Sequence, residues 1–230
     1  MENARNAVSL PFSDKYSRDH SLAYFRKHRA TLSRRLSNWR DMQIARKALK
    51  LAGEPALVLD LPCGAGRFWP VLAEHPDRII IGADNSADML EVARNVQPPE
   101  LVQRVQTMQT SAFAIDLPDA SVDSVFCMRL LHHVGESGHR LAMLREMARV
   151  SRDSVIASLW VDGNYKARRR QRLEARRAHR NDPGFQNRFV IPAATIEAEF
   201  AACGLEILGR LDFLPRYAMW RTYVLRKKTS

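Results

Sequence analysis

Leu59-Asp60-Leu61-Pro62-Cys63-Gly64-Ala65-Gly66-Arg67-Phe68 is the stretch that decides the fold. The short apolar run Ala56–Leu61 ends beside a carboxylate and breaks into a turn carrying two glycines, and helix-forming residues follow over about 68–75. Strand, glycine turn and helix in that order let a backbone approach a bound nucleotide closely, because glycine has no Cβ and accepts positive φ. Asp84 lies 18 residues beyond Gly66, at the end of a second apolar run, Arg78–Asp84. A carboxylate there can accept hydrogen bonds from both hydroxyls of a ribose. Two residues separate this turn from a dinucleotide site. A G-x-G-x-x-G pattern starting at Gly64 requires glycine at position 69, where the chain has Trp69. Asp60 would repel a pyrophosphate but would attract a cationic amino group.

Outward from this turn, strands and helices alternate. On the amino-terminal side, residues 14–52 read as helical, with apolar residues at three- and four-residue steps and Gly53 as a stop. On the carboxy-terminal side the reading gives a helix over Ala87–Asn95, strands over Val102–Thr110 and Val122–Met128, a helix over Gly138–Val150 and a strand over Ser154–Trp160. A helix over Ala193–Cys203 precedes two strands, Leu205–Leu211 and Ala218–Arg226, with no helix between them. This order predicts an α/β domain with a mostly parallel sheet, helices on both faces and an antiparallel carboxy-terminal hairpin at one edge. The expected organisation is an N-terminal helical cap over 1–52 and one domain over 53–230, with a basic lid insertion over 162–190. A length of 230 residues suits one such domain.

Several further segments line up with one family. Asp60-Leu61-Pro62-Cys63-Gly64-Ala65-Gly66 resembles the D-x-G-x-G-x-G motif of the class I, Rossmann-like, seven-stranded S-adenosylmethionine-dependent methyltransferases, with Pro62 where the family has its first glycine. Asp84-Asn85-Ser86-Ala87-Asp88-Met89-Leu90 resembles the family's D-x-S-x-x-M-L, and Leu117–Asp123 its L-P-x-x-x-F-D. Cys127–Val134 resembles its x-x-x-x-L-H-H-V segment. Thr110-Ser111-Ala112 takes the place of a G-D-A segment, with Ser111 for the acid. The usual K-P-G-G turn is replaced by Ser151-Arg152-Asp153. The resemblance covers about 53–228. It implies that S-adenosylmethionine is the methyl donor and S-adenosylhomocysteine the product. It further implies that Asp60, Leu61, Pro62, Cys63, Gly64, Gly66, Asp84, Asn85, Met89, Ser111, Ala112 and Met128 hold the donor, with Asp84 on the ribose and Met89 on the adenine. Arg40, or Arg35, is a candidate for the methionyl carboxylate, since guanidinium suits a bidentate contact.

Charge bears on the acceptor. The formal net charge is +11, but residues 1–50 hold 12 Lys/Arg against 4 Asp/Glu and residues 163–190 hold 9 against 2, while the rest of the chain is mildly acidic. Two basic attachments on an acidic body suit a polyanionic partner, and a solvated face accounts for them equally well. In the family the region after the fifth strand forms part of an acceptor lid. Arg129, Tyr165, Arg169, Arg170 and Arg172 are therefore the candidate acceptor contacts, among the arginines 168, 169, 170, 172, 176 and 177. His132 and His133 follow the fourth strand, where a neutral imidazole can act as general base or orient an acceptor. The expected reaction moves a methyl group to an O or N atom of a small or glycan-like anionic acceptor. RNA is the alternative acceptor, although residues 166–184 hold no aromatic side chain for base stacking. A non-enzymatic cofactor-binding protein is a third reading. The three cysteines show no metal-ligand spacing, so no metal is expected. No run approaches the roughly 18 apolar residues of a membrane span, membrane-surface contact stays open, and a cytoplasmic location is expected.

Overall fold

The structure is a computed structural model and describes residues 32–178 and 187–228. The first half of the expected N-terminal helix, residues 179–186 of the basic insertion and the side chain of Arg177 lie outside the described residues. In chain order the elements are α1 (Leu32–Leu51), β1 (Leu57–Asp60), α2 (Trp69–Leu72), β2 (Ile79–Asp84), α3 (Ala87–Val96), α4 (Pro99–Val102), β3 (Val105–Gln109) and β4 (Val122–Cys127). A 3-10 turn (Leu131–His133) then leads to α5 (Ser137–Val150), β5 (Ser151–Trp160), α6 (Tyr165–Ala178), α7 (Ala193–Ala202), β6 (Leu205–Asp212) and β7 (Trp220–Lys227).

The seven strands form one sheet in the order β3-β2-β1-β4-β5-β7-β6. β1 to β5 are parallel, and β7 lies antiparallel between β5 and β6. Successive side chains of a strand point to opposite faces, so a strand buried on both sides reads as a continuous apolar run. Val58, Ile80, Phe126, Ile156 and Val224 face one layer, with Ala45 and Leu49 of α1, Trp69 of α2 and Leu90 of α3. Leu59, Ala83, Val125, Val155 and Tyr223 face the other, with Met143 and Leu144 of α5 and Ile196 and Phe200 of α7. A buried Arg140–Glu199 pair joins α5 to α7 at 2.5 Å. The chain builds from β1 outward through β2 and β3, then returns to build β4 and β5 on the other side. The carboxyl ends of β1 and β4 therefore diverge into a crevice, where ligands of open α/β sheets bind.

Two strands start three residues from where the sequence reading puts them. β3 starts at Val105 instead of Val102 because Pro98 and Pro99 open the short helix α4, Pro99 fitting the first turn where no amide hydrogen is needed. β5 starts at Ser151, so the turn expected over Ser151–Asp153 is absent. Ser151 closes α5 with extended backbone (φ −79°, ψ 143°) and opens the strand directly. No helix among the described residues is long and apolar enough to cross a membrane.

Candidate active site

At the end of β1 the turn is built around its glycines. The Leu61–Pro62 bond is cis, and Gly64 and Gly66 have φ of +54° and +69°. Cys63 N–H donates to Ala83 O at 2.8 Å, which ties the turn to β2. Gln97 Nε2 donates to Ala65 O at 2.8 Å and closes it from behind. A Cβ on Gly66 would lie 2.7 Å from the Trp69 ring, and one on Gly82 of β2 would lie 2.8 Å from it. Trp69, at the place of a dinucleotide motif's last glycine, thus fills the floor between loop and strand, and two glycines make room for it.

Two carboxylates face this turn. Asp84 Oδ2 accepts from Gly64 N–H at 2.9 Å and Oδ1 from Ser86 N–H at 3.0 Å, which leaves each oxygen a further lone pair. Burial pushes the Asp84 pKa up, against the pull of those backbone donors. Asp60 is 0% exposed, and neither of its oxygens has a hydrogen-bond partner among the described residues. Burial first, and the neighbouring Asp84 charge second, push its carboxyl well above the usual carboxylate range. The Trp69 indole favours the ionised form, yet its N–H completes no hydrogen bond. A buried carboxyl without partners is costly to ionise, and a cationic ligand group removes that cost. An ammonium beside Asp60 and a ribose on Asp84 match what these two groups lack.

The remaining candidates gather at the same strand ends. Ser86 caps α3 by accepting from Met89 N–H at 3.3 Å, and Met89 Cε lies 3.8 Å from where a Gly64 Cβ would stand. Asn85 is exposed above β2, and its carbonyl accepts from Gln109 Nε2 at 3.0 Å. Thr110 N–H donates to Asp84 O at 3.1 Å, bringing Ser111 and Ala112 to the end of β2. Ser111 Oγ is taken by Phe113 N–H at 3.2 Å. Met128 is buried just past β4. Burial and the charges of Asp60 and Asp84 push the Cys63 thiol up, so it lines the loop as an inert thiol.

Arg40 is engaged by backbone carbonyls. Its guanidinium donates to Phe213 O at 2.9 Å and Asp212 O at 3.3 Å, fastening α1 to the β6–β7 connection. Arg35 is exposed. A neighbouring residue, which the sequence reading passed over, takes the central place. Buried Asp41 of α1 accepts from Arg67 and from Arg129, each at 2.5 Å, and Arg67 also donates to Asn38 Oδ1 at 2.8 Å. The available signal was that Asp41 is the one acid in Leu32–Leu51.

One strand over, past β4, stands an aromatic and cationic cluster. Arg129 (φ +64°) lays its guanidinium 4.4 Å over the Trp220 ring. The buried His132 ring lies 4.6 Å from Trp220, 5.0 Å from Trp160 and 4.0 Å from His133. Arg170 and Arg188 cover Trp160 at 4.9 and 5.9 Å. Burial, then His133 and the three arginines 188, 129 and 170, push the His132 pKa far down. Burial also lowers that of His133, whose Nδ1 lies 2.6 Å from Asn187 O. α6 turns Arg170 inward, paired with Glu174 at 2.7 Å, while Arg168, Arg169, Arg172 and Arg176 are exposed. Tyr165 stacks on Tyr217 at 5.7 Å. No group of three metal-ligating side chains occurs among the described residues.

The sheet order, the glycine turn and the paired carboxylates define a Rossmann-like nucleoside-binding α/β domain. Residues 58–154 match the family model described as a methyltransferase domain. Among curated proteins, the mouse tRNA (carboxymethyluridine(34)-5-O)-methyltransferase ALKBH8 is 26% identical over 137 residues, 58% of this chain and 19% of that protein. Trans-aconitate 2-methyltransferase of Azoarcus sp. is 30% identical over 113 residues, 49% of this chain and 41% of that protein. The chain thus spans less than half the length of these relatives. Among solved structures, magnesium protoporphyrin IX methyltransferase of Synechocystis with bound SAH aligns with a TM-score of 0.71 at 16% identity, over 92% of this chain and 98% of that one. Residues 58–154 of the chain thus match a methyltransferase domain, and its fold is like that of a solved methyltransferase holding SAH.

Proposed function

We propose that this chain transfers a methyl group from S-adenosylmethionine to an O or N atom of a small or glycan-like anionic acceptor. The observation that carries the reading is Asp60, a wholly buried carboxyl with no hydrogen-bond partner among the described residues, beside Asp84 at the glycine turn. In this reading Asp60 meets the methionyl ammonium and Asp84 accepts from the ribose hydroxyls. Met89, Ser111 and Ala112 flank the adenine, and the backbone of Leu61–Gly66 lies along the nucleoside. Arg67, held by Asp41, supplies the positive charge for the methionyl carboxylate, in place of Arg40. When bound, the donor supplies a methyl group already activated on a sulfonium. The protein's part is then to align acceptor and methyl, and alignment can lower a barrier by about 7–11 kcal/mol. The cap is α1, whose Asp41 spans the loop and β4 sides of the crevice, and the lid is 162–190.

The anionic acceptor rests on the cluster past β4 and on the exposed arginines of α6. RNA is the second reading, favoured by that basic surface and by similarity to a tRNA methyltransferase. Against it stands the lack of an aromatic residue over 166–184. The test is radiolabelled methyl transfer into a fractionated cell extract. RNase-sensitive label favours RNA, label in small anionic molecules favours the first reading, and no label above a protein-free control refutes both.

A further inference from the structure

The cluster past β4 holds two buried polar groups that no described residue satisfies. His132 and Trp160 are 3% and 7% exposed, and neither His132 Nδ1 nor Trp160 Nε1 has a hydrogen-bond partner among the described residues. Native structures rarely leave such groups unmet without a ligand or water to complete them. Around them, Arg129 lies on Trp220 and Arg170 and Arg188 on Trp160. A guanidinium over an indole ring carries its N–H donors at the edge of its own plane, where they can receive a planar anion. Among the described residues, Asp41 is engaged with Arg67 and Arg129, and Glu174 with Arg170.

Proton chemistry narrows the choice of acceptor. A hydroxyl or an ammonium must lose a proton to become a nucleophile. Were His132 to take that proton, it would place a fourth positive charge among three arginines in a buried site. The environment opposes this, as the downward shift of both imidazoles indicates. An ammonium acceptor would also be repelled on entry. The site suits an acceptor that arrives ionised and needs no base.

We infer, on the donor-binding reading above, that the methylated atom is a carboxylate oxygen, seated where His132 and Trp160 face Arg129 and Arg170. One carboxylate oxygen is held by the indole N–H and an imidazole N–H, and the other faces the methyl. That oxygen donates its electron pair to the methyl carbon, and the carbon–sulfur bond breaks with its pair kept by sulfur. The anionic carboxylate becomes a neutral methyl ester and the sulfonium a neutral thioether, with no proton transferred. His132 is a positioning residue in this step.

The test uses the full chain, donor labelled in the methyl group and cell extract as the acceptor source. Labelled product is treated with mild alkali, which hydrolyses carboxyl methyl esters and releases volatile methanol. Most of the label is expected in the volatile fraction. Label that resists alkali belongs to an ether, an amine, a carbon or a phosphate ester. That result would overturn the carboxylate inference and leave methyl transfer standing. No transferred label overturns methyl transfer and the inference with it. With the purified acceptor fraction, Trp160→Phe keeps a ring but loses the N–H. It is expected to raise the acceptor KM by roughly ten- to a hundredfold, with S-adenosylhomocysteine affinity unchanged by calorimetry. An unchanged KM would overturn the location of the site.

Discussion

Replacing Asp60 by asparagine keeps the side chain's shape and removes its charge, and the structure assigns opposite signs to the two consequences. Asp60 is wholly buried, has no hydrogen-bond partner among the described residues and is pushed up by burial and by Asp84, so its folded pKa lies above its unfolded one. A group raised in this way favours folding while protonated. That contribution is present below the unfolded pKa of about 4 and is lost as pH rises through the folded value. At neutral pH and above, Asp60→Asn is therefore expected to raise the melting temperature of the ligand-free protein, and the gain should shrink toward pH 4. Binding goes the other way. Losing a charge-assisted hydrogen bond to the donor's ammonium costs about 1.5–3 kcal/mol, roughly a 10- to 150-fold rise in Kd. S-adenosylhomocysteine keeps the ammonium and lacks the sulfonium, so its binding isolates this contact from methyl transfer. Calorimetry and thermal melts with and without it read both effects. A variant that binds as tightly as wild type, or that melts lower without ligand across this pH range, would refute the assignment of Asp60.

Other expectations follow from the same geometry. Gly66→Ala places a Cβ 2.7 Å from the Trp69 ring at φ +69°; left-handed backbone and overpacking together should cost roughly 2–5 kcal/mol, seen as a lowered denaturation midpoint, and an unchanged midpoint would contradict the tight floor. Arg169→Gln with Arg172→Gln removes two exposed charges of α6; the acceptor KM should rise at low salt and depend less on ionic strength, whereas an unaltered salt response would make this helix a solvated face. His132→Ala should lower kcat by less than about tenfold; a loss of about 10²–10⁴ with donor affinity intact would identify His132 as a general base.

What the sequence made legible was local. Gly64, Gly66 and Asp84 declare themselves because one strand, one turn and the next strand dictate their geometry within a few tens of residues. The carboxy-terminal hairpin was legible for the same reason, since two strand patterns followed each other with no helix between. Long-range partners were not. Asp41 meets Arg129 across 88 positions, and only the docking of α1 against the strand ends brings them together. Arg40 reads as a free guanidinium until the β6–β7 connection supplies the carbonyls that take it. Trp160 and Trp220 face each other because β7 inserts beside β5 with these residues in register, a pairing that strand patterns alone leave open. The segment after β5 read as a uniformly basic helix. In the fold, Trp160 draws Arg170 inward and leaves its neighbours in solvent.

The most direct measurement of the central claim is calorimetric titration of S-adenosylhomocysteine into wild type and Asp84→Ala. Asp84 already holds the turn through Gly64 and Ser86 and has lone pairs left for a ribose. Saturable binding at one site per chain is expected for the wild type. In a folded Asp84→Ala it should weaken by about 1–3 kcal/mol for each lost charged hydrogen bond. Equal affinity in the two proteins, with the variant's circular dichroism unchanged, would contradict the placement of the methyl donor at this turn.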